Sequence, residues 1–420
     1  MNITTGQRGG GKALPYWSRQ SGFPAKYSGL TMMFKSLFEL GVAVVLSLSV
    51  LVAAHPGENL STRQIRDEVD NAHVVNIINS RALEACQNNP EVKARKERAI
   101  ARRAATFARL REERGLNEGE ETYEISQRHN NETHMYLAAW LHRRSVADFR
   151  KWAALSHNKT GSVDFNKEST NSEIFGSNTS CILTPDNANG PYFVSQEHIR
   201  TDVTENVPGV PMHIELQFID VNTCKPATQL LIDTWSCNAT GQYSGVSARG
   251  EGGLGTTYLR GVQPTDEDGV VSFDTIFPGH YQGRATHQHL IAHVGATTLP
   301  NGTYTGGRVA HLSQLFFDQN LRDAIEATAP YNTNRIPKTS NLADQFTGYA
   351  ATSKYDPLPN YILLGNGLSN GLFVWAELGL NTSSNWDYYA PHASTWKEGG
   401  GYNNPNFNFL AVAFPPPTHG

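Results

Sequence analysis

The chain has 420 residues, long enough for two or three domains, but its composition shifts along the sequence suggest one catalytic domain with additions. With 35 Lys and Arg against 39 Asp and Glu, its net charge of −4 provides no general attraction to polyanions and argues against nucleic acid as a partner. The four cysteines, Cys86, Cys181, Cys224 and Cys237, contain no Cys-x-x-Cys pair, which argues against thiolate zinc or redox work.

Residues 1–54 read as an N-terminal extension followed by a signal peptide. Met32-Met-Phe-Lys35 is a short basic region, and the apolar run Leu37 to Ala54 ends in Val52-Ala53-Ala54, with small residues where signal peptidase needs them before His55. A membrane anchor is the rival reading; Glu39 near the start of the run and its small-residue end favour removal instead. The polar, Gly-rich 31 residues before Met32 look like an over-extended gene start. Seven Asn-x-Ser/Thr sequons follow, at Asn59, Asn131, Asn158, Asn178, Asn238, Asn301 and Asn381, and support a secreted, extracellular glycoprotein that keeps no membrane span. In that compartment all four cysteines should be oxidised, one bridge tying Cys86 to the later part of the chain.

Residues 55–115 read as a helical segment. Ser61-Thr-Arg-Gln64 is a capping box, and Ile65, Val69, Ala72, Val75 and Ile78 follow at helical spacing, so a first helix runs to about Ala85. Asn89 then caps a second helix with Pro90 at its first position, ending near Gly115. Ile100, Ala104, Phe107, Ala108 and Leu110 make its apolar stripe, and the basic run from Lys93 to Arg114 reads as a solvated face. Such a pair would pack on the catalytic domain or on a second copy of the chain, as a homodimer. Residues 116–175 read as linker or insertion, with a short helix around Met135 to Leu155 and a polar run from Ser156 to Asn171.

From Cys181 the texture changes to short alternating segments: Met212 to Phe218, Gln229 to Trp235, Val270 to Phe277, Thr286 to Val294 and Leu312 to Phe317, with Gly, Pro and Asn at the joins. Gly371 to Gly379 adds a late strand. A mainly β sandwich over residues 176–385 follows, with an extended, Asn-, Gly- and Pro-rich arm over 386–420.

Phe277-Pro-Gly-His-Tyr-Gln-Gly-Arg-Ala-Thr-His-Gln-His289 concentrates the chemistry. Side chains alternate faces along a strand, so His287 and His289 point the same way, about 7 Å apart, and can share a metal. Imidazole alone does not choose the ion, but a phenol with a pKa near 10 ligates as phenolate only when a hard, highly charged ion favours its ionisation. Tyr281, with Tyr243 at the end of the run from Thr234, would therefore point to Fe(III). Two phenolates and two neutral imidazoles leave one positive charge on ferric iron, which a displaceable hydroxide balances. His293 lies about 13 Å farther along the strand and reads as a satisfied or exposed histidine, and His280 as a turn residue or pocket wall.

These pieces together resemble the intradiol ring-cleavage dioxygenases, of the secreted fungal type. In order they are Thr184-Pro-Asp-Asn-Ala-Asn-Gly-Pro-Tyr192, Asp233-Thr-Trp235 with Asn238 and Gly241-Gln-Tyr243, Pro278-Gly-His-Tyr281, Arg284-Ala-Thr-His287-Gln-His289, and Ser313-Gln314-Leu-Phe-Phe, covering about residues 176 to 320. The resemblance implies a Greek-key β-sandwich, iron ligands at Tyr243, Tyr281, His287 and His289, a substrate-polarising Arg284, and pocket residues Gln314 and Tyr192. It implies that a catechol-type substrate displaces hydroxide and Tyr281, which then takes up a substrate proton, and that O2 opens the ring between the hydroxyl-bearing carbons to give a muconate-type diacid. One departure concerns the pocket: two residues separate Tyr281 from Arg284, where the bacterial catechol and protocatechuate enzymes carry a longer loop.

Two rivals share the sandwich. A cupin also uses His-x-His on a strand but places a glutamate shortly afterwards, whereas Leu-Ile-Ala-His-Val-Gly-Ala-Thr follows His289 without a carboxylate. A non-catalytic binding module would have lost a ligand, and all four candidates are present. For Arg284, the bland alternative is a surface salt-bridge partner.

Overall fold

The computed structural model describes residues 78, 81–86, 89–116, 125, 143–160, 171–176, 190–344, 346–347, 351, 353 and 356–407. Contacts divide the chain into residues 1–51 and 52–420, and all described residues belong to the second unit. The expected signal peptide, most of the first helix, Cys181, the stretch 184–189 and the sequons at Asn59, Asn131 and Asn178 lie outside the described residues. Among the described residues no helix is long and apolar enough to cross a membrane.

Two four-stranded sheets form the sandwich. One runs β5 (Val270–Ile276), β2 (Pro211–Asp220), β9 (Leu372–Leu380), β8 (Asn360–Leu363). The other runs β4 (Arg260–Pro264), β3 (Leu230–Trp235), β6 (His287–Thr298), β7 (Tyr304–Phe316). The late strand expected near residues 371–379 is thus an inner strand, parallel to β2 and antiparallel to β8. Alternation supplies the core: Met212, Ile214, Leu216 and Phe218 of β2 and Leu372, Val374, Ala376 and Leu378 of β9 meet Leu230, Ile232, Leu290, Ala292 and Leu315 of the facing sheet. A third sheet of β1 (Val194–Ser195), β10 (Ser394–Thr395) and β11 (Tyr402–Asn403) draws the C-terminal segment back onto the chain after Tyr192.

Helix α1 (Pro90–Glu113) starts as its sequence prescribes, with the Asn89 side chain accepting from Glu91 N at 2.9 Å and Pro90 in the first turn. Its basic run is not simply a solvated face. Arg95, Arg103 and Arg111, at i, i+8 and i+16, fall on the face carrying Ala99 and Phe107 and are buried against the outer side of the β2–β9 sheet. Acceptors on the outer face of the sheet explain the burial: Arg103 Nε donates to Glu215 Oε1 at 3.1 Å, Arg95 lies 3.7 Å from Glu377, and Arg111 caps the Leu364 carbonyl. The helix therefore packs on its own chain's sandwich, beside α3 (Asn171–Phe175), whose Phe175 fills the gap between Phe107 and Trp375.

Helix α2 (Arg143–Ala153) falls within the region expected to hold a short helix, and its Phe149 and Trp152 pack with Phe316, Phe346 and Leu358. His157, in the stretch read as linker, is buried between Asp318 at 3.1 Å and Asp356 at 2.9 Å. Asp318 also caps α4 (Gln319–Glu326). Cys86 bridges Cys224, as the expected tie to the sandwich required. Cys237, however, is a free, buried thiol, so the expectation that every cysteine is oxidised does not hold. It packs among Tyr192, Tyr243 and Tyr281 in an aromatic cluster.

Candidate metal centre

The β4–β3–β6–β7 sheet has a second face, turned away from the sandwich core. Along β6, Leu290 and Ala292 enter that core, so His287, His289 and Ile291 point outward. Register places His289 between Trp235 of β3 and Gln314 of β7. Loops close over this face from 190–193, 236–259 and 277–286.

Tyr243 and Tyr281 arrive on two of these loops. Tyr243 lies beyond the end of β3, which stops at Trp235, in a turn built by the Asn238 side chain, whose oxygen accepts from Thr240 N and Gln242 N, each at 3.0 Å. Two glycines let the loops cross. Gly241, at φ +87°, would put a Cβ 2.3 Å from the His280 carbonyl, and a Cβ on Gly279 would lie 2.4 Å from the Asn238 carbonyl. His280 is a structural residue of this crossing, with Nδ1 2.6 Å from Glu326 and Nε2 2.8 Å from the Ile336 carbonyl. Tyr243 N also donates to Glu251 Oε2 at 2.5 Å, a contact with no sequence signature.

All four candidate donors converge. His287 Nε2 and His289 Nε2 are 3.0 Å apart, and Tyr281 Oη lies 3.3 Å from His287 Nε2. The Tyr243 ring stands edge-on to Tyr281 at 5.5 Å and to His289 at 6.0 Å. The Ala285 carbonyl accepts from His287 Nδ1 at 2.6 Å, so the proton sits on Nδ1 and the Nε2 lone pair faces the cluster. Trp235 stacks on His289 with centroids 4.6 Å apart and planes within 4°, which sets that ring's orientation. Tyr192 stacks on Tyr243 at 4.3 Å and meets Tyr281 edge-on.

This donor set fits a cation. The Tyr243 hydroxyl is fully buried without a hydrogen-bond partner. Two nitrogens 3.0 Å apart have the spacing of cis ligands on one ion with bonds of about 2.1 Å. Burial, reinforced by the neighbouring phenol, holds the Tyr243 hydroxyl well above the usual tyrosine pKa, and burial raises Tyr281 despite the nearby Arg284 charge. Only a strong local positive charge would ionise them. Among the described residues no three His, Cys, Asp or Glu side chains gather to hold a metal, so an ion here depends on the phenols.

Arg284 is not a surface residue. It is fully buried, with Nε donating to Asp344 Oδ2 at 2.9 Å, Nη2 donating to Gln314 Oε1, and Nη1 3.4 Å from Tyr281 Oη. Burial opposes its charge, but Asp344 and the facing phenols outweigh that and hold its pKa above the ordinary guanidinium value. Phe346 lies over the guanidinium at 4.4 Å. Asp344 and Phe346 were not identifiable in advance, because Asn341-Leu-Ala-Asp344-Gln-Phe346 carries no motif and lies 60 residues from the arginine. His293 stays outside the cluster, buried with Nε2 3.3 Å from Tyr304 Oη, beyond a register shift in β6.

The profile of a family described as Dioxygenase matches residues 188–312. An intradiol ring-cleavage dioxygenase from Tetranychus urticae is 30% identical over 49% of this chain and 98% of its own, with a TM-score of 0.41. The dioxygenase domain of a dioxygenase carbohydrate-binding protein fusion from Streptomyces sp. SirexAA-E is 26% identical over 48% of this chain and 99% of its own, with a TM-score of 0.31. Catechol 1,2-dioxygenase from Pseudomonas arvilla C-1 is 18% identical over 50% and 67%, with a TM-score of 0.33. No curated protein matches the chain.

Proposed function

Because the chain belongs to the intradiol ring-cleavage dioxygenases, we propose that it holds one ferric ion on Tyr243, Tyr281, His287 and His289 and opens catechol-type rings between the hydroxyl-bearing carbons, giving muconate-type diacids. The observation that carries this reading is the convergence of two buried phenols and two imidazole nitrogens beside a buried arginine. When bound, the ferric ion supplies the charge that ionises phenols and catechol and activates the ring toward O2.

The chain's own residues do the rest. Tyr281 Oη takes a catechol proton, and burial favours the neutral phenol that results. Arg284, fixed by Asp344 and Gln314, holds a positive charge beside Tyr281, where it stabilises carbanion character on the ring. Tyr192 forms a pocket wall against both ligand tyrosines, and Trp235 shields His289 from water.

The protein is also read as secreted and glycosylated. The Cys86–Cys224 bridge suits an oxidising compartment, and the Asn301 sequon is exposed between β6 and β7. Metal analysis and absorbance of the purified protein test the central claim. About one iron per chain with a red to burgundy colour is expected from phenolate-to-ferric charge transfer, together with oxygen uptake on catechol, hydroxyquinol or caffeate. A colourless protein with stoichiometric zinc, copper or manganese would overturn it.

A further inference from the structure

We propose that Asp344 is a positioning residue for ring cleavage: its carboxylate fixes the Arg284 guanidinium beside the metal cluster, with Phe346 closing one face of that guanidinium. The inference rests on the role given to Arg284 above and extends it to residues outside the motif-bearing segment.

The geometry is specific. One carboxylate oxygen, Asp344 Oδ2, accepts from Arg284 Nε at 2.9 Å and from Ala285 N at 2.7 Å, holding both the side chain and the following backbone. Arg284 lies in the turn between Tyr281 and β6, where no ladder hydrogen bonds fix the chain. A side chain with four rotatable torsions leaving an irregular turn needs such a second anchor to place its terminal nitrogens. The other oxygen, Oδ1, accepts from Phe346 N at 2.8 Å, and Thr347 Oγ1 donates to the Asp344 carbonyl at 2.9 Å, so the loop holding the carboxylate is itself tied down. The Phe346 ring, 4.4 Å from the guanidinium carbon, also packs with Phe149 and Phe316.

An ion pair serving stability alone could lie anywhere in the domain. This one holds a cation whose remaining nitrogens face Gln314 and Tyr281. Nε faces Asp344 and Nη2 faces Gln314, so the fork cannot rotate without losing a charge-assisted bond.

Asp344→Asn tests the assignment, because it keeps the side chain's shape and removes its charge. The variant should retain iron content, visible absorbance and KM within about twofold, while kcat falls about 100-fold. If Asp344 acts only through Arg284, adding Asp344→Asn to Arg284→Leu should cost no further activity. In metal-free, isotope-labelled protein the Arg284 Nε–H resonance should move in Asp344→Asn, a readout independent of whether any catechol is cleaved. Phe346→Leu, which leaves the carboxylate in place, should lower kcat about tenfold with unchanged absorbance, and serves if Asp344→Asn does not fold. The proposal is overturned if the Nε–H resonance stays put, if the losses multiply in the double variant, or if either single variant turns over at the wild-type rate.

Discussion

At the residue scale, a buried phenol and a buried arginine respond differently to truncation. Tyr243 and the two histidines have few other duties: His287 and His289 present nitrogens to the cluster, and the Tyr243 hydroxyl has no other bond. His287→Ala or His289→Ala should therefore lose iron, colour and activity together, as metal analysis and absorbance would show. Tyr281→Phe should keep some iron with altered colour and slow turnover, since three donors remain and the proton acceptor is gone. Arg284→Leu should keep iron and colour while turnover falls by about two orders of magnitude, the usual size for removing one electrostatic stabiliser of a transition state. Full turnover in that variant would leave the arginine a structural role only.

At the element scale, α1 shows why helical patterning misjudges a buried charge. Helical spacing puts Arg95, Arg103 and Arg111 on the face shared with Ala99 and Phe107, and an arginine at such a position reads as solvated until its acceptor is known. For Arg95 and Arg103 those acceptors are Glu377 and Glu215, on strands more than 100 residues away in sequence, pointing out of the sandwich where other outward positions carry Trp375 and Phe373, and for Arg111 the acceptor is the Leu364 carbonyl. Truncating one partner leaves the other buried and under-compensated, although Arg102 still reaches Glu215 at 3.1 Å. Arg103→Met should destabilise the protein by about 3 kcal/mol in denaturant unfolding, and adding Glu215→Leu should recover most of the loss. A single variant as stable as the parent would show that α1 is held by its apolar contacts alone.

At the scale of the whole molecule, long-range ties join segments with no sequence relationship. The Cys86–Cys224 bridge closes 138 residues, and His157 joins the segment after α2 to Asp318 at the start of α4 and to Asp356. Burial opposes charge on His157, but its hydrogen bonds to Asp318 and Asp356 prevail and lift its pKa to about 9. A raised folded-state pKa means that the protonated form stabilises the fold. The contribution, up to about 3 kcal/mol, is complete below the unfolded value near 6.5 and is lost as pH rises through about 9. Unfolding free energy measured across that window should fall with pH, and His157→Gln should flatten that part of the profile; an unchanged slope would refute the assignment. Local information was sufficient for β2, β3, β5, β6, β7 and β9, for the Asn89–Pro90 helix start and for the pairing of His287 with His289 on one face, whereas the short β4 and β8 and the third sheet carried too little alternation to be read. Alternation, capping and the His-x-His spacing each act within a few residues, so the chain spells them out directly. The tertiary structure alone decided that Asp344 meets Arg284, that three helical arginines are buried, that Cys237 stays a free thiol and that Glu251 meets the Tyr243 amide. Charge pairs and close approaches between distant segments depend on where the sheets bring their loops, and no local spacing encodes that.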